Sequence, residues 1–184
     1  MKHTLVVLVE DKPGVLNRVA SLFRRRSFNI DSIVVGHTET PGISHMTIMV
    51  DGSATLVEQA RKQLSKIIEV VKVTDVTGES TIHRELALIK VKAGPATRSE
   101  IIQIVDIFRA SIVDVAVDSL MIEVTGDEDK IESLCSLLRG YGIKELARTG
   151  PIAMPRGVSG PIQVESEKKK VAARKEAGEN KKKK

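Results

Sequence analysis

Two spacings of apolar residues alternate along this chain, and each half of it runs through the same order of them. Residues 4–10 are apolar almost without interruption, the pattern of a strand buried on both faces. Val15, Leu16, Val19, Leu22 and Phe23 then recur at helical spacing and leave Arg18, Arg24, Arg25 and Arg26 on a polar face. Strands are predicted at 28–36 and 44–50, around a loop at 37–43 that contains Pro41 and Gly42, which makes a hairpin with a longer connection. Thr55 with Glu58 forms a capping-box pattern, and Leu56, Val57, Ala60, Leu64, Ile67 and Ile68 continue as a helix. A strand at 70–76 closes the half, giving βαββαβ, the ferredoxin-like order.

Residues 78–84 are polar and lack periodicity, so a linker is predicted there. The order then repeats. A strand at 85–91 leads to Thr97 and Glu100, a second capping-box pattern ahead of Ile101, Ile102, Val105 and Phe108. Residues 111–117 and 120–125 alternate around Asp118 and Ser119 as a hairpin, and Asp127 caps a helix carrying Ile131, Leu134, Cys135 and Leu138. A strand at 143–147 ends the half. The expected architecture is therefore α+β, two ferredoxin-like βαββαβ domains in tandem: 1–77, a linker at 78–84, and 85–158. Helices cover one face of each sheet, so self-association or a partner protein is the expected cover for the other face.

Composition changes this picture in three ways. Aromatic residues make up only 2% of the chain, so the core is built from Val, Ile and Leu, and no pocket is lined by aromatic rings. The net charge of +5 is local: nine of the 29 basic and four of the 24 acidic residues follow position 164, leaving 20 of each before it. The body is formally neutral, and the lysine-rich stretch at 159–184 is expected to be a disordered, solvated tail. The single cysteine, Cys135, excludes an internal disulfide and a multi-cysteine metal cluster, and no stretch has signal or membrane-spanning length; a cytoplasmic protein is expected.

Catalytic chemistry finds little support. His3, His37, His45 and His83 are scattered without metal-ligand spacing and read as surface or loop residues, and Cys135 falls at a core position of its helix. The carboxylates Asp114, Asp118, Glu123 and Asp127 fall at turns and a helix start. The turn Asp11, Lys12, Pro13, Gly14, Val15, Leu16 is different. Pro13 gives up an amide where helical partners are lacking anyway, and Gly14 lets the backbone approach a guest without a side chain in the way. The amides of Gly14, Val15 and Leu16 can point at a carboxylate under the positive end of the helix dipole, while Asp11 can accept from an ammonium group. The order of elements suggests that this turn lies beside the start of the next strand, at Asn29 and Ile30. A strand-to-helix turn with nothing bound fits the same residues.

The run 9–19, followed by Leu22-Phe23 and Phe28-Asn29-Ile30, resembles an ACT domain, the amino-acid-binding module of metabolic enzymes. Further segments resemble the small, regulatory subunit of acetolactate synthase: Asn29-Ile30-Asp31-Ser32, Val35-Gly36-His37-Thr38-Glu39, Met46-Thr47-Ile48, residues 85–91, Ile107-Phe108-Arg109-Ala110, Val113-Asp114-Val115, residues 145–150 and Met154-Pro155-Arg156-Gly157. The likeness spans about residues 3–158. His45 departs from it, standing where an Arg is usual, and the tail after Val164 has no counterpart in it.

The resemblance implies a non-catalytic subunit, without a cofactor of its own, that activates a catalytic subunit using thiamine diphosphate, Mg and FAD. It implies feedback inhibition by branched-chain amino acids, chiefly valine, and a homodimer through the first domain. The implied effector site is the turn Asp11, Lys12, Pro13, Gly14, Val15, Leu16 of one chain facing Asn29 and Ile30 of a second. A sensor of the same fold regulating another enzyme or transcription shares the pocket but not the partner. An RNA-binding protein shares the element order but stacks bases on sheet aromatics, and with Phe23 and Phe108 assigned to helices only Phe28 and Tyr141 remain for that role. Neither nucleic acid nor a membrane is an expected partner.

Overall fold

The computed structural model describes residues 2–25 and 28–157. The tail at 159–184 and Arg26 on the first helix's polar face lie outside the described residues. The described residues fall into two compact units, one of residues up to 82 together with those from 153, the other of 83–152.

In the first unit, β1 (Lys2–Glu10), α1 (Val15–Arg25), β2 (Asn29–His37), β3 (Ile43–Asp51), α2 (Ala54–Leu64) and β4 (Val70–Asp75) follow in βαββαβ order. The sheet order is β2-β3-β1-β4, with every neighbouring pair antiparallel. β1 lies in the middle and is buried on both faces, which is why it reads as a continuous apolar run. Leu5, Val7 and Val9 point toward the helices and pack with Val19, Phe23, Ile48, Val57 and Leu64. Phe28 meets Phe23 edge to face at 5.8 Å, so this aromatic belongs to the helix-side core rather than to a base-stacking sheet surface.

In the second unit, β5 (Thr81–Lys92), α3 (Arg98–Ile107), β6 (Ser111–Val115), β7 (Ser119–Gly126), α4 (Glu128–Arg139) and β8 (Ile143–Arg148) repeat the order, with sheet order β6-β7-β5-β8. Ala87, Ile89 and Val91 of β5 pack on Ile101, Val105, Ile131, Leu134 and Leu138. Cys135 is in that core, as its helical position predicts, and burial pushes its thiol pKa up.

Several expectations need correcting. The cap of α2 is Ser53, whose hydroxyl accepts from the Leu56 N–H at 3.4 Å, not Thr55. Glu58 instead takes a two-pronged pair with Arg61, at 2.7 Å on both oxygens, which holds its carboxyl at about 2. α2 ends at Leu64, leaving Ile68 exposed beyond it. Thr97 does precede α3 but makes no side-chain cap, its hydroxyl going to Gly94 O at 3.4 Å. Asp127 caps α4 as expected, accepting from the Lys130 N–H at 3.0 Å. The predicted linker is shorter, because β5 starts at Thr81.

The segment after β8 departs most from the expectation. A short strand β9 (Ile152–Pro155) pairs with β5, and residues from 153 belong to the first unit rather than to the second half. Ala153, fully buried, sits with Val6 and Val76 on the sheet face away from α1 and α2, and its N–H donates to the Thr47 hydroxyl at 3.2 Å. The expected cover by a second molecule is, at this spot, supplied by the chain itself. Local pattern could not reveal it, since four residues with one buried alanine carry no periodicity.

Candidate functional site

The turn between β1 and α1 is held in place by the backbone. The Glu10 N–H donates to Glu69 O at 2.8 Å, the Asp11 N–H to Gly42 O at 2.9 Å and the Lys12 N–H to Glu10 O at 3.0 Å. Gly14 has φ +85°, a left-handed conformation that favours glycine and costs other residues about 1 kcal/mol or more. A Cβ there would meet nothing within 4 Å, so in a single chain Gly14 is required by conformation and not by a crowded neighbour. The backbone at Gly14 is therefore open to the close approach of a guest.

Three amides are candidate donors here, those of Gly14, Val15 and Leu16. That of Val15 is directed at Lys12 O, at 3.3 Å, while those of Gly14 and Leu16 have no acceptor among the described residues. Both lie at the positive end of α1, in exposed residues. Val15 is buried at 4% exposure and Leu16 is half exposed, so only Leu16 offers a free aliphatic wall. The Lys12 ammonium is engaged by Glu10 at 2.6 Å, a hydrogen bond and charge contact that raise its pKa. Pro13 is exposed on the approach to α1. Asp11 reaches His37, with Oδ2 3.4 Å from Nδ1, both side chains in solvent.

Asn29 and Ile30 are elsewhere. Asn29 pairs with Asp51, which pairs with Lys2 at the beginning of β1, whereas the turn leaves from Glu10, opposite Ile43 at the beginning of β3. Eight residue steps of β1 separate the two places, roughly 26 Å at strand spacing. The expected closeness of the turn to the start of β2 is thus wrong within one chain. What the turn faces is the end of β2 and the loop after it, through Gly42 and His37. Antiparallel β1–β3 and β3–β2 pairing dictates this result, so the element order held the signal, and His37 as the neighbour of Asp11 followed from it. The Asn29 amide donates to Asp31 Oδ1 at 3.3 Å.

The other histidines divide. His3 is not a surface residue: it is 7% exposed on β1, with neither ring nitrogen hydrogen-bonded. His45 is half buried in β3, and desolvation lowers its pKa. No group of three or more His, Cys, Asp or Glu able to hold a metal ion occurs among the described residues.

The equivalent place in the second unit is filled. Arg98, at the first position of α3, donates through Nη2 to Ala93 O at 3.3 Å, Ala116 O at 2.7 Å and Val117 O at 2.9 Å. The helix start and the β6–β7 turn are thereby tied by one side chain. Asp118 in that turn is held by Lys144 at 2.5 Å, and that bond, with the ammonium charge, lowers its carboxyl pKa.

Tandem ferredoxin-like units, the first with an open glycine turn at its first helix, define a protein of the ACT-domain class, and residues 5–72 match the ACT domain of AHAS small-subunit type. Residues 84–157 match the family described as the small subunit of acetolactate synthase. A probable acetolactate synthase small subunit of Archaeoglobus fulgidus is 60% identical over 157 residues, 85% of this chain and 98% of that protein. The acetolactate synthase small subunit of Bacillus subtilis is 54% identical over 159 residues, 85% of this chain and 92% of its own length. The crystal structure of the acetolactate synthase small subunit from Thermotoga maritima superposes with a TM-score of 0.80 at 46% identity, covering 85% of this chain and 98% of that one. The chain belongs to the family of acetolactate synthase small subunits.

Proposed function

We propose that this chain activates a thiamine-diphosphate-dependent catalytic subunit and makes it sensitive to valine, the effector being bound between two copies of the first unit. Membership of the small-subunit family supports the catalytic partner. One observation carries the two-copy site: the turn and Asn29 lie at opposite ends of a sheet whose outer strand is β2. Two β2 edges pairing antiparallel about a two-fold axis bring the beginning of one strand beside the end of the other. Asn29 and Ile30 of the second copy then approach His37, and with it Asp11 and the turn. The Gly14 and Leu16 amides hold the effector carboxylate, Asp11 or the Asn29 amide orients the ammonium group, and Leu16 with Ile30 provides aliphatic contact. Such walls separate valine from leucine or isoleucine only modestly, one methylene being worth roughly 1 to 3 kcal/mol. A coupling of about 1 to 3 kcal/mol between effector and catalytic subunit suffices for a several-fold or greater change in rate.

The test is reconstitution with a catalytic subunit supplied with thiamine diphosphate, Mg and FAD, with pyruvate as substrate. The expected outcome is no acetolactate from this chain alone, a marked rise in rate when it joins the catalytic subunit, and suppression of that rise by valine. Turnover by the pure chain overturns the non-catalytic reading. A reconstituted rate indifferent to valine, isoleucine and leucine overturns the effector reading.

A further inference from the structure

The first unit carries a second concavity that the effector reading does not use. α1 and the turn after α2 enclose an open groove of about 490 Å³ on the helix side of the sheet. Four cations rim it: Arg18, Arg24 and Arg25 from α1, and Lys66 from the turn. Its floor is apolar, formed by Leu22, Ile67 and the largely exposed Ile68. The one acid in the lining, Glu69, is already committed to Arg18, Oε1 to Nη1 at 2.5 Å. Arg24, Arg25 and Lys66 have no acidic partner among the described residues, although Arg61, Lys62, Arg139, Lys144 and Arg148 all do. On a body that carries equal numbers of acids and bases, this is a local surplus of positive charge beside uncovered aliphatic surface.

We infer that this groove is a docking surface for an acidic, partly apolar segment of the catalytic subunit. The shape of the cation set decides against a compact anion. Arg18 and Arg25 stand seven residues apart on one helix face, about 10 Å along the axis, a spread that a single phosphate does not span. Donors spread along such a line, with aliphatic floor between them, match carboxylates spaced along a peptide. Arg25 is held on the groove by its Nε–H to Ser21 O at 3.3 Å, so part of the rim is ordered before a partner arrives. The inference rests on the regulatory-subunit reading, because it needs a catalytic subunit that binds this chain.

The test compares the parent chain, the Arg24→Glu/Lys66→Glu double variant and the Arg24→Gln/Lys66→Gln pair, each titrated into the catalytic subunit while acetolactate formation is followed at low and high salt. The double reversal is expected to raise the half-saturating concentration about tenfold at low salt and to flatten its salt dependence, with full activation still reached at saturation. The neutral pair is expected to show a smaller rise of the same kind and guards against misfolding of the reversal, which thermal melting reports. Valine affinity of the isolated subunit, by calorimetry, should be the same in all three. Unchanged half-saturation and salt dependence in both variants overturns the docking surface. So does pyrophosphate binding to the parent that is lost in both variants while partner affinity stays the same, since the groove then serves a small anion. Failure of the parent chain to activate at all removes the regulatory reading itself, and the docking surface with it.

Discussion

The two units share one order of elements and one sheet topology, yet they finish the junction between first strand and first helix in opposite ways. In the first, Gly14 at φ +85° begins a helix start with two N–H groups that have no acceptor among the described residues, and the facing segment meets the turn through the Asp11 N–H to Gly42 O bond and an exposed Asp11–His37 contact. In the second, Gly94 carries no left-handed conformation, and Arg98 bonds three carbonyls across the gap. The helix start left open in one half is closed by the protein's own side chain in the other. The outer strands differ likewise: β2 has nine residues, β6 only five. A repeated fold therefore yields one unit with an open junction and one with a sealed junction, and the difference lies in a handful of junction residues rather than in the core.

The strongest way to break this contrast is Gly14→Asp. A carboxylate about 4 Å from the effector's own is worth roughly 4 kcal/mol at an effective dielectric of 20, so valine affinity is expected to fall by more than about a hundredfold while activation survives. Calorimetric titration with valine measures it, and retained affinity would move the site elsewhere. Substituting Gly94→Ala in the sealed unit should leave valine binding untouched.

Arg98→Ala reverses the test. Charge-assisted bonds to three carbonyls are lost, and a destabilisation of about 2 kcal/mol is expected in denaturant unfolding, with valine affinity unchanged. A valine effect without a stability effect would erase the distinction between the units. Asn29→Ala should weaken valine binding by about 0.5 to 1.5 kcal/mol, a few-fold change, because one neutral hydrogen bond goes and the pocket remains.

The smallest expected effect belongs to His45. Its pKa is depressed in the folded state by burial, so the unfolded chain binds its proton more readily, and stability falls as pH drops through the unfolded value near 6.5. His45→Gln should remove that part of the acid sensitivity. Melting curves between about pH 7 and pH 5 compare the two, and parallel curves would exclude His45 as a source.

How far such features can be read from sequence depends on their range. β1 and α1 were legible because periodicity and burial agree over many residues, and so was the Asp127 cap, a local signal completed within three residues. The Gly14 turn was legible as chemistry, since Pro followed by Gly announces an unusual backbone. Its surroundings were not legible from local order, because antiparallel pairing sends the start of β2 to the far end of the sheet. Local pattern does not separate Ser53 from Thr55 as the cap of α2, because two hydroxyls two residues apart compete for one position. The covering contact of Ala153 on Thr47 joins positions 106 apart, and no periodicity reports such a contact.

The separation of Asn29 from the turn within one sheet has a consequence for stoichiometry and dilution. On the proposed two-fold arrangement, the shared sheet carries two equivalent pockets, one at each end, and neither exists in a lone protomer. Effector binding is then linked by mass action to dimer formation: valine draws free protomers into pairs, and a solution dilute enough to hold mainly single chains loses its affinity for valine although every contact residue is intact. The apparent affinity becomes a property of protomer concentration as much as of pocket chemistry. A cell that makes little of this subunit would have, in the same step, a weaker sensor.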